Sequence, residues 1–300
     1  MAKTHFPLSP GYKSAEFLSC YFEGNTTGNV FFVNSANGTD TAGYGFSPEL
    51  PFATINFAVT QCAANNGDVV YVMPGHTETI TAAGGCTLGV AGVAIRGMGT
   101  RGSRGNVNFT TSSAGTFLVS AAGCSVDNLT FSLTGVAALA KAISVTAADF
   151  TITNSRFTIN NSTNQAVYAI LTTAAGTRMT VNGCEFFGTA DAGVTAAIGL
   201  VGGDSHRIMN SQFIGGYSAA VGAIQNLTTA CTNAEIFGNT INNLTALSTN
   251  AMAFAAGATG QIAENSMQIL SGTAPITGTG MSWVGPNYYA DAIATGSTLV

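Results

Sequence analysis

A chain of 300 residues is long enough for one large domain or two ordinary ones. Charged residues make up 8% of it, Gly numbers 37 and the net charge is −5, so it offers neither the basic stripe of a nucleic-acid binder nor the polybasic or amphipathic segment of a membrane-surface protein. Apolar residues fall in short runs broken by Gly, Asn, Ser and Thr, none near the roughly 18 residues of a membrane-spanning helix; this is the texture of many short buried strands joined by tight turns.

In chain order, the opening Met1–Pro7 lacks the apolar core of a secretory signal peptide. Residues 1–28 show no repeat and carry Phe6, Tyr12, Phe17, Leu18, Tyr21 and Phe22 among few charges. They read either as an arm that contacts a partner, through Phe17, Tyr21 and Phe22, or as a strap on the chain's own body. A short amphipathic helix follows at about 54–64: Ile55, Ala58, Val59 and Cys62 keep i, i+3, i+4, i+7 spacing. Thr54 is its expected N-cap and Asn65-Asn66-Gly67 its stop. The strand Asp68-Val69-Val70-Tyr71-Val72-Met73 comes next. A helix placed here suits a plug over the open end of a repeat.

The repeat itself fills residues 29–275. A pattern of apolar, any, Asn or Gly, any, any, large apolar begins at Val126, Ile152, Val181, Ile208, Ile236 and Ile262, which lie 26 to 29 residues apart, with an earlier copy at Ile95. Its third position, Gly97, Asn128, Asn154, Gly183, Asn210 and Gly238, holds the residue types that tolerate a left-handed backbone, so each coil is expected to turn a corner there. Glu264 breaks this column, and Asn265 after it is expected to bend one residue later. Asn at such corners can also bond its equivalents in a ladder. The last position, Phe131, Phe157, Phe186, Phe213, Ile241 and Met267, is expected to stack inside, one per coil. A second apolar column runs Leu118, Ile143, Ile170, Ile198, Ile224 and Phe254. Helical repeats are excluded by the Gly, Thr and Asn content and by the lack of a 3.6-residue period. The expected fold is all-β: a right-handed parallel β-helix, or β-solenoid, of about 8–9 coils with a short N-terminal capping helix. Residues 276–300 read as a C-terminal cap or contact tail, with Trp283, Tyr288 and Tyr289 as contact candidates.

The six cysteines, Cys20, Cys62, Cys86, Cys124, Cys184 and Cys231, form no CxxC pair and match no metal-ligand spacing. They read as free, mostly buried thiols. No metal or cofactor site is expected.

The stretch Ser47–Ile55, then Asn65-Asn66-Gly67-Asp68 through Pro74-Gly75-His76, resembles the opening of pectate-lyase-like right-handed β-helix proteins. Within that superfamily it is similar to β-helix proteins encoded among the structural genes of tailed bacteriophages, over roughly residues 30–270, with later elements such as Gly188–Gly193. The resemblance implies a virion component: a capsid decoration, a head fibre or a tail-associated protein, assembled in the host cytoplasm. Its partners would be the capsid shell or other virion proteins and copies of itself, trimers being common for such rods. It also keeps a second class open, a polysaccharide lyase or hydrolase or a glycan-binding β-helix used on a host surface.

Catalysis by such folds needs clustered carboxylates. Hydrolases use two, roughly 5–9.5 Å apart, and lyase chemistry needs acids for Ca²⁺ with a base beside them. Coils stack about 4.8 Å apart, so paired acids should share a column. They do not. Arg156 precedes Glu185 in one column and Asp149 precedes Arg178 in another, which suggests ion pairs on a solenoid face, and Asp127 stands alone. One weak cluster remains, Asp204, His206 and Arg207 with Arg178 a coil below, and a polar turn explains it better. His76 reads as part of the first coil's turn. The preferred reading is therefore a non-enzymatic scaffold.

Overall fold

The computed structural model describes residues 26–191, 193–227, 229–271, 275–291 and 298–299. The chain winds as a parallel β-solenoid in which each coil gives one short strand to each of three sheets. The first sheet runs from Val30–Val33 and Val69–Val72 through Ala94–Gly97, Ser125–Asp127, Thr151–Thr153, Thr180–Asn182, Arg207–Met209, Ala234–Phe237 and Gly260–Ala263 to Met281–Trp283. The second runs from Thr77–Ile80 and Asn106–Thr110 through Thr130–Gly135, Arg156–Thr158, Glu185–Phe187, Gln212–Gly215, Thr240–Asn243 and Ser266–Ile269 to Tyr288–Asp291, where antiparallel Thr298–Leu299 closes it. The third, with 8 strands, sets the number of complete coils. It runs from Cys86–Leu88 and Phe117–Val119 through Ile143–Val145, Tyr168–Thr172, Ala196–Leu200, Ile224–Asn226 and Met252–Ala253 to Ile276–Thr277. Residues beyond 276 thus add strands to all three sheets.

Two of the three turns in each coil place left-handed backbone at a fixed column. Between the first and second sheets, φ is positive at Asn128, Asn154, Gly183, Asn210 and Gly238. Gly97 differs. Its φ is not in the left-handed region, and it is small because a Cβ there would lie 2.1 Å from the Asn128 carbonyl oxygen. Glu264 itself adopts φ 57°, so the last corner does not shift to Asn265. The register of the sheet overrides the poor fit of a glutamate to that conformation. A second corner, between the third and first sheets, places Asn65, Gly92, Gly123, Asp149, Arg178, Ser205 and Asn233 in the same conformation. The amides of this column donate onward to the next coil, as in Asp149 N–H to Thr177 O (3.0 Å) and Arg178 N–H to Asp204 O (2.8 Å).

The interior is three apolar columns in register. On the second sheet, Phe131, Phe157, Phe186, Phe213, Ile241 and Met267 pair in succession. The four rings stack nearly parallel, with centroids 4.9, 4.5 and 4.7 Å apart. On the first sheet Ile95, Val126, Ile152, Val181, Ile208, Ile236 and Ile262 align and end on Trp283. On the third sheet Cys86, Phe117, Ile143, Ile170, Ile198, Ile224, Met252 and Ile276 align. The expected member Leu118 is therefore displaced by its neighbour Phe117; Met252 holds the register position expected for Phe254, which is itself buried in the same core. Successive strand residues point to opposite faces, and it is Phe117 that is fully buried while Leu118 faces outward.

A polar ladder runs inside the first corner, one residue after the left-handed position. Ser155 Oγ accepts from Leu129 N–H, and Ser211 Oγ from Cys184 N–H. Asn239, Asn265 and Asn287 then accept in turn from the amides of Ser211, Asn239 and Asn265, at 3.0, 3.1 and 3.1 Å. The Asn residues at the left-handed positions point outward instead: Asn128 Nδ2 donates to Gly97 O and Asn210 Nδ2 to Asn182 Oδ1. The ladder is inward because buried amides at the corner need an acceptor that solvent cannot supply.

The N-terminal end is capped. The helix is Ile55–Thr60, shorter than the expected 54–64, with Thr54 Oγ1 accepting from Phe57 N–H (3.1 Å). It stops early because the Ala63 amide donates to Asp68 Oδ2 (2.6 Å) rather than back into the helix. Asp68, fully buried, also accepts from Asn29 N–H and Asn66 Nδ2 at 2.6 and 2.7 Å. Burial pushes its pKa up, but the Ala63 and Asn29 amides and the Asn66 amide group outweigh that and hold the carboxyl below its usual range.

Candidate functional site

Apart from the buried Asp68 and Glu78, the charged groups of the described residues sit on the corners and outer faces of the solenoid, and several bridge neighbouring coils. Arg178 Nε and Nη2 donate to Asp149 Oδ1 and Oδ2 at 2.6 and 2.8 Å. This two-point contact lowers the Asp149 pKa and raises that of Arg178. Arg207 Nε lies 2.9 Å from Glu235 Oε2 in the next coil. Of the two pairs expected from the columns, Asp149 with Arg178 forms, but Arg156 with Glu185 makes no such bridge: the Arg156 guanidinium sits over the Phe187 ring, 5.1 Å from its centroid.

The structure brings Asp204, His206 and Arg207 to one turn but gives each a different task. Asp204 Oδ1 accepts from Thr232 Oγ1 (2.7 Å) and Asn233 Nδ2 (2.8 Å), and Oδ2 accepts from Ser205 Oγ (2.7 Å). Those bonds, led by the one from Thr232, hold its pKa at about 2. His206 is fully buried, with Nε2 placed 3.1 Å from the Gly202 carbonyl oxygen. A carbonyl accepts only, so Nε2 carries the proton in the neutral ring. Burial pushes the His206 pKa down; the Gly202 contact and nearby Asp204 only partly offset it. Arg178 and Arg207 are each engaged by a carboxylate of another coil. The cluster is a polar corner in which no side chain is poised as a proton donor or acceptor toward solvent.

His76 does more than complete a turn. It is fully buried, its Nδ1 accepts from Ser35 N–H (3.0 Å), and its Nε2 faces Glu78 Oε2 at 3.4 Å. Glu78 Oε2 also accepts from Ile55 N–H, the first amide of the capping helix, at 2.8 Å. This buried pair ties the first coil to its cap. Sequence periodicity alone could not find it, because Glu78 occupies the inward column that later holds Val107 and Phe131.

Shallow grooves mark the outer faces of the described residues, and three of them bear on whether carboxylates pair. One, of about 460 Å³, is lined by Tyr71, Arg96, Met98, Ser125, Asp127 and Thr153 on the first sheet. Its one carboxylate, Asp127, accepts from Thr153 Oγ1 and Asn154 Nδ2 at 2.5 and 2.8 Å. A second, of about 310 Å³, crosses the last coils of the second sheet past Thr240, Asn242, Gln268 and Tyr288 and holds no acidic side chain. The third, of about 380 Å³, is lined by Glu235, Phe237, Gln261, Ala263 and Glu264. It is lined by two acidic residues that stand in different columns of the repeat, a combination that the column alignment does not reveal. Glu235 is bridged to Arg207, and Glu264 is exposed at its strained corner. Among the described residues no three His, Cys, Asp or Glu side chains converge in a metal-holding arrangement.

Cys62, Cys86, Cys124, Cys184 and Cys231 are free thiols. Burial pushes their pKa values up, to about 12 for Cys62 and Cys184 and about 11 for Cys231, which suits small apolar fillers rather than nucleophiles. Cys20, Phe17, Tyr21 and Phe22 lie outside the described residues. Of the C-terminal contact candidates, Trp283 and Tyr288 are 42% and 49% exposed, and Tyr289 packs against the core.

These features define a parallel β-solenoid with its charges built into the stacking of coils. No protein-family model and no curated protein matches the chain. Among solved structures it is similar to a rhamnogalacturonan lyase, at 13% identity and TM-score 0.47 over 91% of this chain and 79% of that one. It is also similar to the GH136 lacto-N-biosidase of Eubacterium ramulus, at 11% identity and TM-score 0.41 over 88% of this chain and 67% of that one. A third likeness is to ORF18 of Geobacillus virus E2, at 12% identity and TM-score 0.37 over 100% of this chain and 67% of that one. At such identities these are likenesses of fold.

Proposed function

We propose that this chain is a structural component of a bacteriophage particle, a rigid rod that binds other virion subunits, rather than a polysaccharide-cleaving enzyme. The observation that carries the reading is the use of its charges. Asp149 with Arg178, Arg207 with Glu235, and Asp204 with Thr232 and Asn233 all link one coil to the next. Each of these groups is already engaged by a partner in a neighbouring coil. The phage context rests on the resemblance of roughly residues 30–270 to β-helix proteins of phage structural genes. In this reading the protein joins the particle during assembly in the host cytoplasm, as a homo-oligomer, with the capsid shell or a tail subunit as its partner.

The test has two arms. Mass spectrometry of purified particles of the phage that carries this gene should find the chain at a fixed copy number. Purified protein incubated with host-surface and acidic polysaccharides should release no new reducing or unsaturated ends. Cleavage that disappears in Glu264→Gln or Glu235→Gln would instead make the two-carboxylate groove an active site and reject the scaffold. Absence of the chain from washed particles would reject the virion role.

A further inference from the structure

The outer face of the first sheet changes character along the solenoid. At Ser125–Asp127, Thr151–Thr153 and Thr180–Asn182 the outward positions are Ser, Asp, Thr and Asn, all half-buried. In the first two strands they are Val30, Phe32, Val69 and Tyr71, which are only 9%, 0%, 4% and 6% exposed. The alternate side chains of the same strands, Phe31, Val33, Val70 and Val72, belong to the main core. The outward four form a separate apolar cluster, with the Phe32 and Tyr71 rings stacked at 5.9 Å. Among the described residues, the other hydrophobic side chains packed on it are Met73, Ala94 and Met98. An outward face so closed to water needs a cover, and these neighbours lie in the same sheet or at its margin.

The preceding chain has the composition and the attachment to supply one. Residues 1–25 include Phe6, Tyr12, Phe17, Leu18, Tyr21 and Phe22. The chain then joins the sheet beside the cluster: Thr26 Oγ1 donates to Gly67 O, and Asn29 N–H donates to Asp68 Oδ1 at 2.6 Å. Gly28 runs so close that a Cβ there would lie 2.4 Å from the Gly67 carbonyl carbon. Three strands about 4.8 Å apart make a face some 10–15 Å wide, which four or five extended residues cross. Phe22 and Tyr21 lie four and five residues before Thr26, and Leu18 and Phe17 eight and nine, so a chain that crosses the face and returns carries all four over it. A tether this short presents the segment at an effective concentration on the order of millimolar, well ahead of any partner in solution.

We propose that residues 1–25 dock in cis across the outer face of the first strands, covering Phe32, Tyr71, Met73 and Met98. The segment is a strap, and Phe17, Tyr21 and Phe22 face their own solenoid rather than another subunit.

Methionine oxidation reads this directly in the full-length protein. Met73 and Met98 flank the cluster, while Met209 lies outward on the same sheet four coils away from Met98 and serves as control. Dilute hydrogen peroxide followed by peptide mass spectrometry gives a rate for each. In the variant Phe17→Glu/Phe22→Glu, Met73 and Met98 should oxidise several-fold faster than in the wild type, with Met209 unchanged. If Met209 also accelerates, the milder Phe17→Ser/Phe22→Ser pair is read the same way. Equal Met73 and Met98 rates in wild type and variants would overturn the strap. So would wild-type protection that falls as the protein is diluted, because the cover would then come from a second copy.

Discussion

At the corners, single residues carry a conformational load that their neighbours cannot share. An L-residue in the left-handed region costs roughly 1–2 kcal/mol, less for Asn, and the structure places Asn154, Asp149, Arg178, Ser205 and Glu264 there. Asn154→Val should lower stability by roughly 1–2 kcal/mol for that reason, whereas Asn154→Gly should stay within about 1 kcal/mol; chemical denaturation of the two variants separates conformational strain from the loss of the exposed Asn154–Asp127 bond. His206 adds a pH term. Burial holds its folded pKa below the ordinary 6.5, so the unfolded chain takes up a proton first as pH falls. Its contribution is full above about pH 6.5 and is lost as pH drops toward the folded value. Asp204, held at about 2, adds a later loss as pH falls below the ordinary carboxylate range. Melting temperatures should therefore be level above neutrality and decline below about pH 6.5. His206→Gln, which keeps a donor for the Gly202 carbonyl, should flatten the slope between about pH 6.5 and 5. An unchanged slope in that variant would remove His206 from the account.

Strands of three to five residues cannot hold themselves, so the columns that run across coils are the units of stability. The inward ladder is the most sensitive of them. Asn265 accepts from Asn239 N–H and Asn239 Nδ2, and donates to Ile236 O, Ala263 O and Asn287 Oδ1. Each buried group left without a partner costs about 1–3 kcal/mol. Asn265→Ala should thus lose several kcal/mol in equilibrium unfolding, while Asn210→Gly on the outward side of the same corner should lose about 1 kcal/mol or less; similar losses would mean that the ladder is ornamental. This contrast also marks how far the sequence could be read. Phe131, Phe157, Phe186 and Phe213 were legible because one bulky residue recurs at one register, and the first-sheet anchors Val126 to Ile262 for the same reason. Leu118 misled because a three-residue strand with apolar residues on both faces gives no alternation to fix its sense, and Phe117 was the inward one. The ladder was legible as Asn enrichment but not as to which of two adjacent columns turns inward, since Ser155, Cys184 and Ser211 hide its first half. The second corner was invisible as a corner: Asp149, Arg178 and Ser205 are not residues that announce positive φ. For the candidate site, the ionic partner of Arg178 was readable from the column, while the Glu235–Glu264 groove and the His76–Glu78 pair depend on where a corner and a cap fall in space.

Taken whole, the rod has two unlike ends. At the first end every sheet is closed by something. Gly45 O accepts from Phe32 N–H, Ser35 Oγ from Thr77 N–H, and Asn56 Oδ1 of the capping helix from Thr87 N–H, at 2.7, 2.9 and 2.9 Å. At the other end, among the described residues, Met281–Trp283 and Ile276–Thr277 are the last strands of their sheets and are paired on one side only. Among the described residues the second sheet alone is closed there, by the antiparallel Thr298–Leu299. Trp283 ends the inner column of the first sheet and is 42% exposed, beside Val284 at 46%. In a stack where each coil touches only its neighbours, local stability is a sum of nearest-neighbour terms, so a coil with one neighbour opens first. Backbone hydrogen exchange should therefore be fastest in 276–284, slowest in the coils around 143–186, and intermediate in 69–80, where the helix, the His76–Glu78 pair and Asp68 act together. Exchange that begins in 69–80 instead would mean that the N-terminal cap holds less tightly than its hydrogen bonds imply. Uniform exchange along the chain would mean that the coils open as one cooperative unit, and a mechanically stiff rod of that kind would have no weak end.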